Sequence, residues 1–234
     1  MPTNATTPLT TTSTTPGAGA GAGTTFGVTD FRRAALVAAG PLWAAVSLGQ
    51  VATRDGFDLS RHPLSLLSTG SLGWIQIANF ILAGALLLIG ASASAGGGAM
   101  AGGGAAAGRW APRLVRISGI GMIAAGMLVM DPGSGFPAGT PDTVPTTMTW
   151  HALGHMAAGS ITFAALIAAC YVLARRYAAA GSRTLATTAA LSGTALLSGD
   201  LWAMSGGALG TLTLAVGAIT AMCFLSIAAL NPRP

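Results

Sequence analysis

Six apolar runs, each close to the ~20 residues an α-helix needs to cross a bilayer core, alternate with polar or glycine-rich stretches along the chain. The first, Ala34 to Ala52, follows Arg32 and Arg33 and contains Gly40 and Pro41, which a membrane helix tolerates because freed carbonyls find other partners. The second runs from Leu72 to about Ala93, with Trp74 near its start and Gln76 and Asn79 in its first two turns. The third, Leu114 to Met130, ends at Asp131-Pro132, and the fourth, from about Thr147 to Ala174, is closed by Arg175, Arg176 and Tyr177. The fifth, Leu185 to about Met204, leads through a tight Ser205-Gly206-Gly207 turn into the sixth, Ala208 to Leu230. This pattern predicts an all-α polytopic membrane protein, six transmembrane helices in a compact bundle, with glycines such as Gly119, Gly121, Gly126, Gly193 and Gly199 allowing close helix approach.

Two stretches fall outside the pattern. Residues 1–30 are expected to form a disordered Thr/Ala/Gly-rich tail, too poor in large apolar side chains to offset the entropy of ordering. A Gly/Ala segment at about 94–108 reads as a flexible loop within the membrane domain, residues 31–234.

Charge sharpens the topology. The composition is 52% hydrophobic and 7% charged, with eleven arginines and six aspartates carrying all of the fixed charge. Arg32, Arg33, Arg109, Arg113, Arg116, Arg175, Arg176, Arg183 and Arg233 sort to the side of the termini, and only Arg54 and Arg61 to the other. The positive-inside rule then puts both termini in the cytoplasm of a multi-pass cell-membrane protein. The arginines sit at the ends of apolar runs without interleaved aromatics, which excludes nucleic acid as a partner and leaves membrane lipids. Trp74, Trp150 and Trp202 near one boundary and Trp110 near the other read as an interfacial belt. Cys170 and Cys223 lie within apolar runs and offer neither a disulfide framework nor a zinc ribbon.

The polar connection from Asp131 to His155 concentrates the candidate chemistry, with two of the six aspartates and two of the three histidines. His151 and His155 are four apart at the start of the fourth run, so a helix points both toward one face, a spacing at which two imidazoles can share a metal ion. The connection between the third and fourth runs brings Asp131 toward them. His62, in the loop between the first two runs, falls on the same side of the membrane; Ser65 and Ser68 follow it, either as caps of the second helix or as a nucleophile or substrate contact. Asp200 is the one acid inside an apolar run, and Arg54 or Arg61 is its expected partner.

The stretches RHPLSLLSTGSLGWIQIANF, MDPGSGFPAG and WHALGH resemble a family of bacterial and archaeal integral membrane proteins known as domain of unknown function nine-nine-eight. The matching positions are His62, Pro63, Ser65, Gly73, Trp74, Asn79, Phe80, Asp131, Pro132, Phe136, Pro137, His151 and His155, and the likeness spans about Phe31 to Leu230. It implies a six-helix membrane fold and no particular activity. A looser chemical likeness is to transmembrane metal-dependent hydrolases, the alkaline ceramidases and adiponectin-receptor-like proteins, which use one Asp, three His and a Ser at a membrane boundary.

Two functions follow as expectations. One is a non-catalytic protein that binds a lipid or small molecule at an outer-face Asp/His/Arg site. The other is a metal-dependent membrane hydrolase acting on a lipid, with Zn²⁺ on His62, His151 and His155, and Asp131, Ser65 and Arg61 as catalytic residues.

Overall fold

The computed structural model describes Met1 and residues 27–92, 107–143 and 145–231. Residues 2–26 of the expected tail and most of the expected Gly/Ala loop lie outside the described residues. Those described are all-helical: α1 (Val28–Thr53), α2 (Gly73–Ser92), α3 (Ala107–Met127), α4 (Trp150–Ala179), α5 (Arg183–Met204) and α6 (Gly210–Leu230), with one 3₁₀ turn, Leu64–Ser68, before α2. Four of them, α1, α2, α4 and α6, are long and apolar enough to cross a membrane. In α3 the first three turns carry Arg109, Arg113 and Arg116, and α5 is rich in Thr, Ser and Gly, which lowers the hydropathy of both.

The helix ends depart from the apolar runs for identifiable reasons. α1 begins six residues before Ala34, where the Gly27 amide donates to Asp30 Oδ2 and the helix continues through the charged Asp30-Phe31-Arg32-Arg33 segment. Apolar runs mark the lipid-compatible part of a helix, whereas hydrogen-bonded turns extend beyond it. α4 starts at Trp150 instead of Thr147 because Thr149 is its N-cap, its hydroxyl accepting from the Ala152 amide. Ser65 and Ser68 do not cap α2, which begins at Gly73; they lie in the 3₁₀ turn, where Ser68 Oγ donates to the Ser65 carbonyl.

Packing runs from each helix to the next, and α6 packs back on α1. Contacts along each pair run in opposite directions. Gln50 meets Gln76 while Leu36 meets Gly90, and Leu128 meets Gly154 while Ser118 meets Thr162. The same antiparallel order holds for α6 on α1, where Gly40 abuts the Met222 carbonyl and Arg33 donates from Nε and Nη2 to the Ala229 and Leu230 carbonyls. The Arg33 guanidinium thus satisfies two of the carbonyls left open at the α6 C-terminus. The loops 54–72, 128–149 and 205–209 therefore gather at one end of the helices.

Small residues set the interhelical distance. A Cβ on Gly84 would lie 2.5 Å from the Gly119 carbonyl oxygen, so α2 and α3 touch backbone to backbone. Gly84→Ala is expected to lower stability by about 1–3 kcal/mol through overpacking, whereas Gly49→Ala, with nothing within 4 Å of the added carbon, is neutral or stabilising; thermal unfolding of both variants in the same detergent checks the contrast.

Candidate functional site

The polar residues of the loop end form two separate structures, a clasp between loops and a cavity between helices. The clasp is centred on His62, which is 2% exposed. Its Nδ1 accepts from the Asp58 amide (3.0 Å), so its Nε2–H donates to the Ser134 carbonyl (2.8 Å), joining the first loop to the third. Around this pair the Phe57 and Phe136 rings meet edge to face at 5.1 Å, and the Arg54 guanidinium lies 4.9 Å from the Phe136 ring centre. Arg54 also donates to the Leu67 and Thr69 carbonyls, which fixes the 3₁₀ turn, and partial burial pulls its pKa below the usual arginine value. Arg61 forms an exposed ion pair with Asp142.

Asp58 starts the clasp. Hydrogen bonds from the Ser60 hydroxyl and amide hold its carboxyl below the usual carboxylate range. Because the folded value is depressed, this contribution is present above the ordinary carboxylate pKa and is lost as pH falls through the lowered one.

Asp131 does approach the start of α4, yet its carboxylate serves the backbone there. Oδ2 accepts from the Thr149 amide and Oδ1 from the Thr149 hydroxyl, both at 2.7 Å, so an acid in the loop after α3 orients the N-cap of α4. The two α4 histidines part company. His155 is 4% exposed and its Nδ1–H is shared between the Ala125 and Leu128 carbonyls at 2.8 Å each. His151 is exposed and stacks on Trp150 at 3.6 Å. Both nitrogens of His62 are occupied by backbone, and among the described residues no group of three or more His, Cys, Asp or Glu is placed to hold a metal ion. The structure therefore does not assemble His62, His151 and His155 into one centre. Nor does either arginine reach Asp200: Arg54 and Arg61 are committed to the loop carbonyls and to Asp142.

The second structure is a cavity of about 230 Å³ with wall residues from all six helices and the Pro63–Ser65 segment. Its surface is mostly apolar, with Trp43, Phe80, Met122, Phe163, Leu166 and Leu214 among its contributors. His155, Ser65, Ser160, Thr162, Thr211 and Asp200 supply the polar positions. Since His155 donates from Nδ1, its Nε2 carries the ring's remaining lone pair. Phe80 packs edge-on against that imidazole, 5.8 Å away. The indole Nε1–H of Trp43 is buried and has no hydrogen-bond partner among the described residues.

Behind Trp43, a polar network crosses the α1–α2 contact. Gln50 Nε2 donates to Gln76 Oε1 (2.7 Å), and Asn79 Nδ2 donates to the Trp43 carbonyl and to Ser47 Oγ, both at 3.1 Å. Sequence reasoning noticed Gln76 and Asn79 as polar interruptions but left Ser47, Gln50 and Trp43 unassigned. The recurrence of amides and a hydroxyl on facing thirds of two apolar runs was the available signal.

Apolar helices of this length, packed around a cavity between them, define a helical membrane protein. The chain belongs to the family described as protein of unknown function (DUF998), whose model matches residues 37–231. Neither a curated protein nor a solved structure matches it.

The clasp makes a graded prediction. His62→Ala leaves the Ser134 carbonyl and Asp58 amide without their shared partner and is expected to cost about 1–3 kcal/mol, with faster proteolysis in both loops. Arg61→Ala breaks only an exposed pair and is expected to cost less than about 1 kcal/mol; unfolding midpoints of the two variants check the order.

Proposed function

We propose that all six helices cross the cell membrane, with both termini cytoplasmic, and that the protein binds the apolar part of a lipid or lipid-like small molecule in its interhelical cavity without catalysis. The topology draws support from the arginines. Eight of the described ones lie at the end opposite the clasp, at Arg32, Arg33, Arg109, Arg113, Arg116, Arg175, Arg176 and Arg183, against Arg54 and Arg61 at the clasp end. α3, at 21 residues, is about as long as the bilayer core is thick and packs between two candidate spans, α2 and α4. Trp74, Trp110, Trp150 and Trp202 are exposed at helix ends, as interfacial anchors are. Single cysteines at Ser71 and Met148 are expected to react with an impermeant maleimide on intact cells, while one at Gly181 reacts only after permeabilisation; labelling of all three from outside counts against six spans.

The observation that carries the binding reading is the cavity itself. It is about one and a half times the ~150 Å³ of an apolar cavity that takes up benzene, and a few polar groups in an apolar wall are the usual composition of a ligand site. Trp43, Phe80 and Phe163 give that wall aromatic surface. Ser65 and His155 belong to this reading as wall residues, whereas His62, Arg61 and Asp131 act through the loops that hold the wall in place.

Decan-1-ol, an apolar chain with one acceptor oxygen, is the simplest probe. Saturable binding to the full chain in nanodiscs is expected. Gly159→Leu, which adds bulk to the wall where a Cβ meets nothing within 4 Å, is expected to abolish it. No saturable binding, or binding indifferent to Gly159→Leu, overturns the reading.

A further inference from the structure

Asp200 is the wall residue that a purely apolar ligand does not explain. It stands on α5, four residues before the end of the helix, and is half-buried among Ala203, Thr211, Leu214 and the facing α4 surface. A carboxylate within an apolar segment is costly unless something answers its charge. No hydrogen bond or ion pair to Asp200 is formed by the described residues, where the salt bridge present joins Arg61 to Asp142. No lysine or arginine is among the cavity's wall residues. His155, the wall's one basic side chain, spends its N–H on two backbone carbonyls and turns an acceptor lone pair to its other side.

The wall therefore offers an acidic side chain and an imidazole acceptor, and it lacks a cation of its own. Trp43, Phe80 and Phe163 add aromatic faces, which also attract positive charge. We propose that the cavity selects amphiphilic amines: the ligand's ammonium group pairs with the Asp200 carboxylate while its hydrocarbon body fills the apolar wall. This specificity rests on the cavity being a binding site, as proposed above. It adds the chemical class of the ligand. A carboxylate-bearing amphiphile is disfavoured by like charge at Asp200, and an alcohol gains only the hydrogen bonds.

Three ligands of equal chain length separate these terms: decylamine, decan-1-ol and decanoate, each titrated against the full chain in phosphatidylcholine nanodiscs, with uptake by protein-free nanodiscs subtracted. The zwitterionic lipid keeps the bilayer itself from favouring the amine by net charge. Decylamine is expected to bind at least about tenfold more tightly than decan-1-ol, with decanoate the weakest. Asp200→Asn, close in shape but uncharged, is expected to bring amine and alcohol within about twofold of one another, and Asp200→Glu to restore most of the difference. Equal binding of amine and alcohol by the unmodified protein, or an amine preference that survives Asp200→Asn, overturns the assignment while leaving the cavity as a site. Failure of all three ligands to bind saturably overturns both.

Discussion

Within a bilayer there is no water to complete a hydrogen bond, so each polar atom placed there must be answered by another part of the protein. Much of the interior follows from that constraint. Ser47, Gln76 and Asn79 answer one another across α1 and α2, and Ser226 Oγ donates across to the Leu36 carbonyl. His155 donates to two carbonyls at the end of α3, which joins α3 to α4 nearly two turns below the Asp131–Thr149 contact. Against so many answered groups the Asp200 carboxylate stands out: no described residue gives it a hydrogen bond or an ion pair.

The loops obey a different requirement. They must hold a 3₁₀ turn, Leu64–Ser68, over the helices although that segment has too few backbone hydrogen bonds to fix itself. His62 does so by accepting from its own loop and donating to the next, and Arg54 by gripping the carbonyls at the end of the turn. Pro63, Leu64 and Ser65, held in this way, are part of the cavity wall. His62, expected among the metal ligands, thus acts at one remove from the cavity, by fixing backbone.

Much of the helical layout was legible because apolar runs of membrane length have few other folded states. The six runs coincide with the six helices of the described residues, and the Ser205-Gly206-Gly207 turn falls between α5 and α6, with Gly206 in the left-handed region. Helix ends were less legible, since capping by Gly27, Asp30 and Thr149 is decided by side-chain geometry and not by hydropathy. For the site, scarcity of ionisable groups drew attention to His62, Asp131, His155 and Asp200, each of which has a specific setting in the structure. Their partners were not legible. A four-residue spacing places His151 and His155 on one side of α4, but the rim of a helix packed against α3 exposes the first and buries the second. Trp43, Met122 and Phe163 look like ordinary apolar filling until several helices are brought together around them.

The contact of α6 with α1 has a consequence for biogenesis. Helices inserted in chain order can pair with their predecessors as they emerge, but the Arg33 grip on Ala229 and Leu230 and the fit of Gly40 against Met222 join segments separated by nearly the whole membrane domain. Until the last helix is in place, a nascent chain exposes the Ser226-facing side of α1 to lipid and lacks one wall of its chamber. The cavity wall is thus completed in one late step, when α6 packs against α5 and α1.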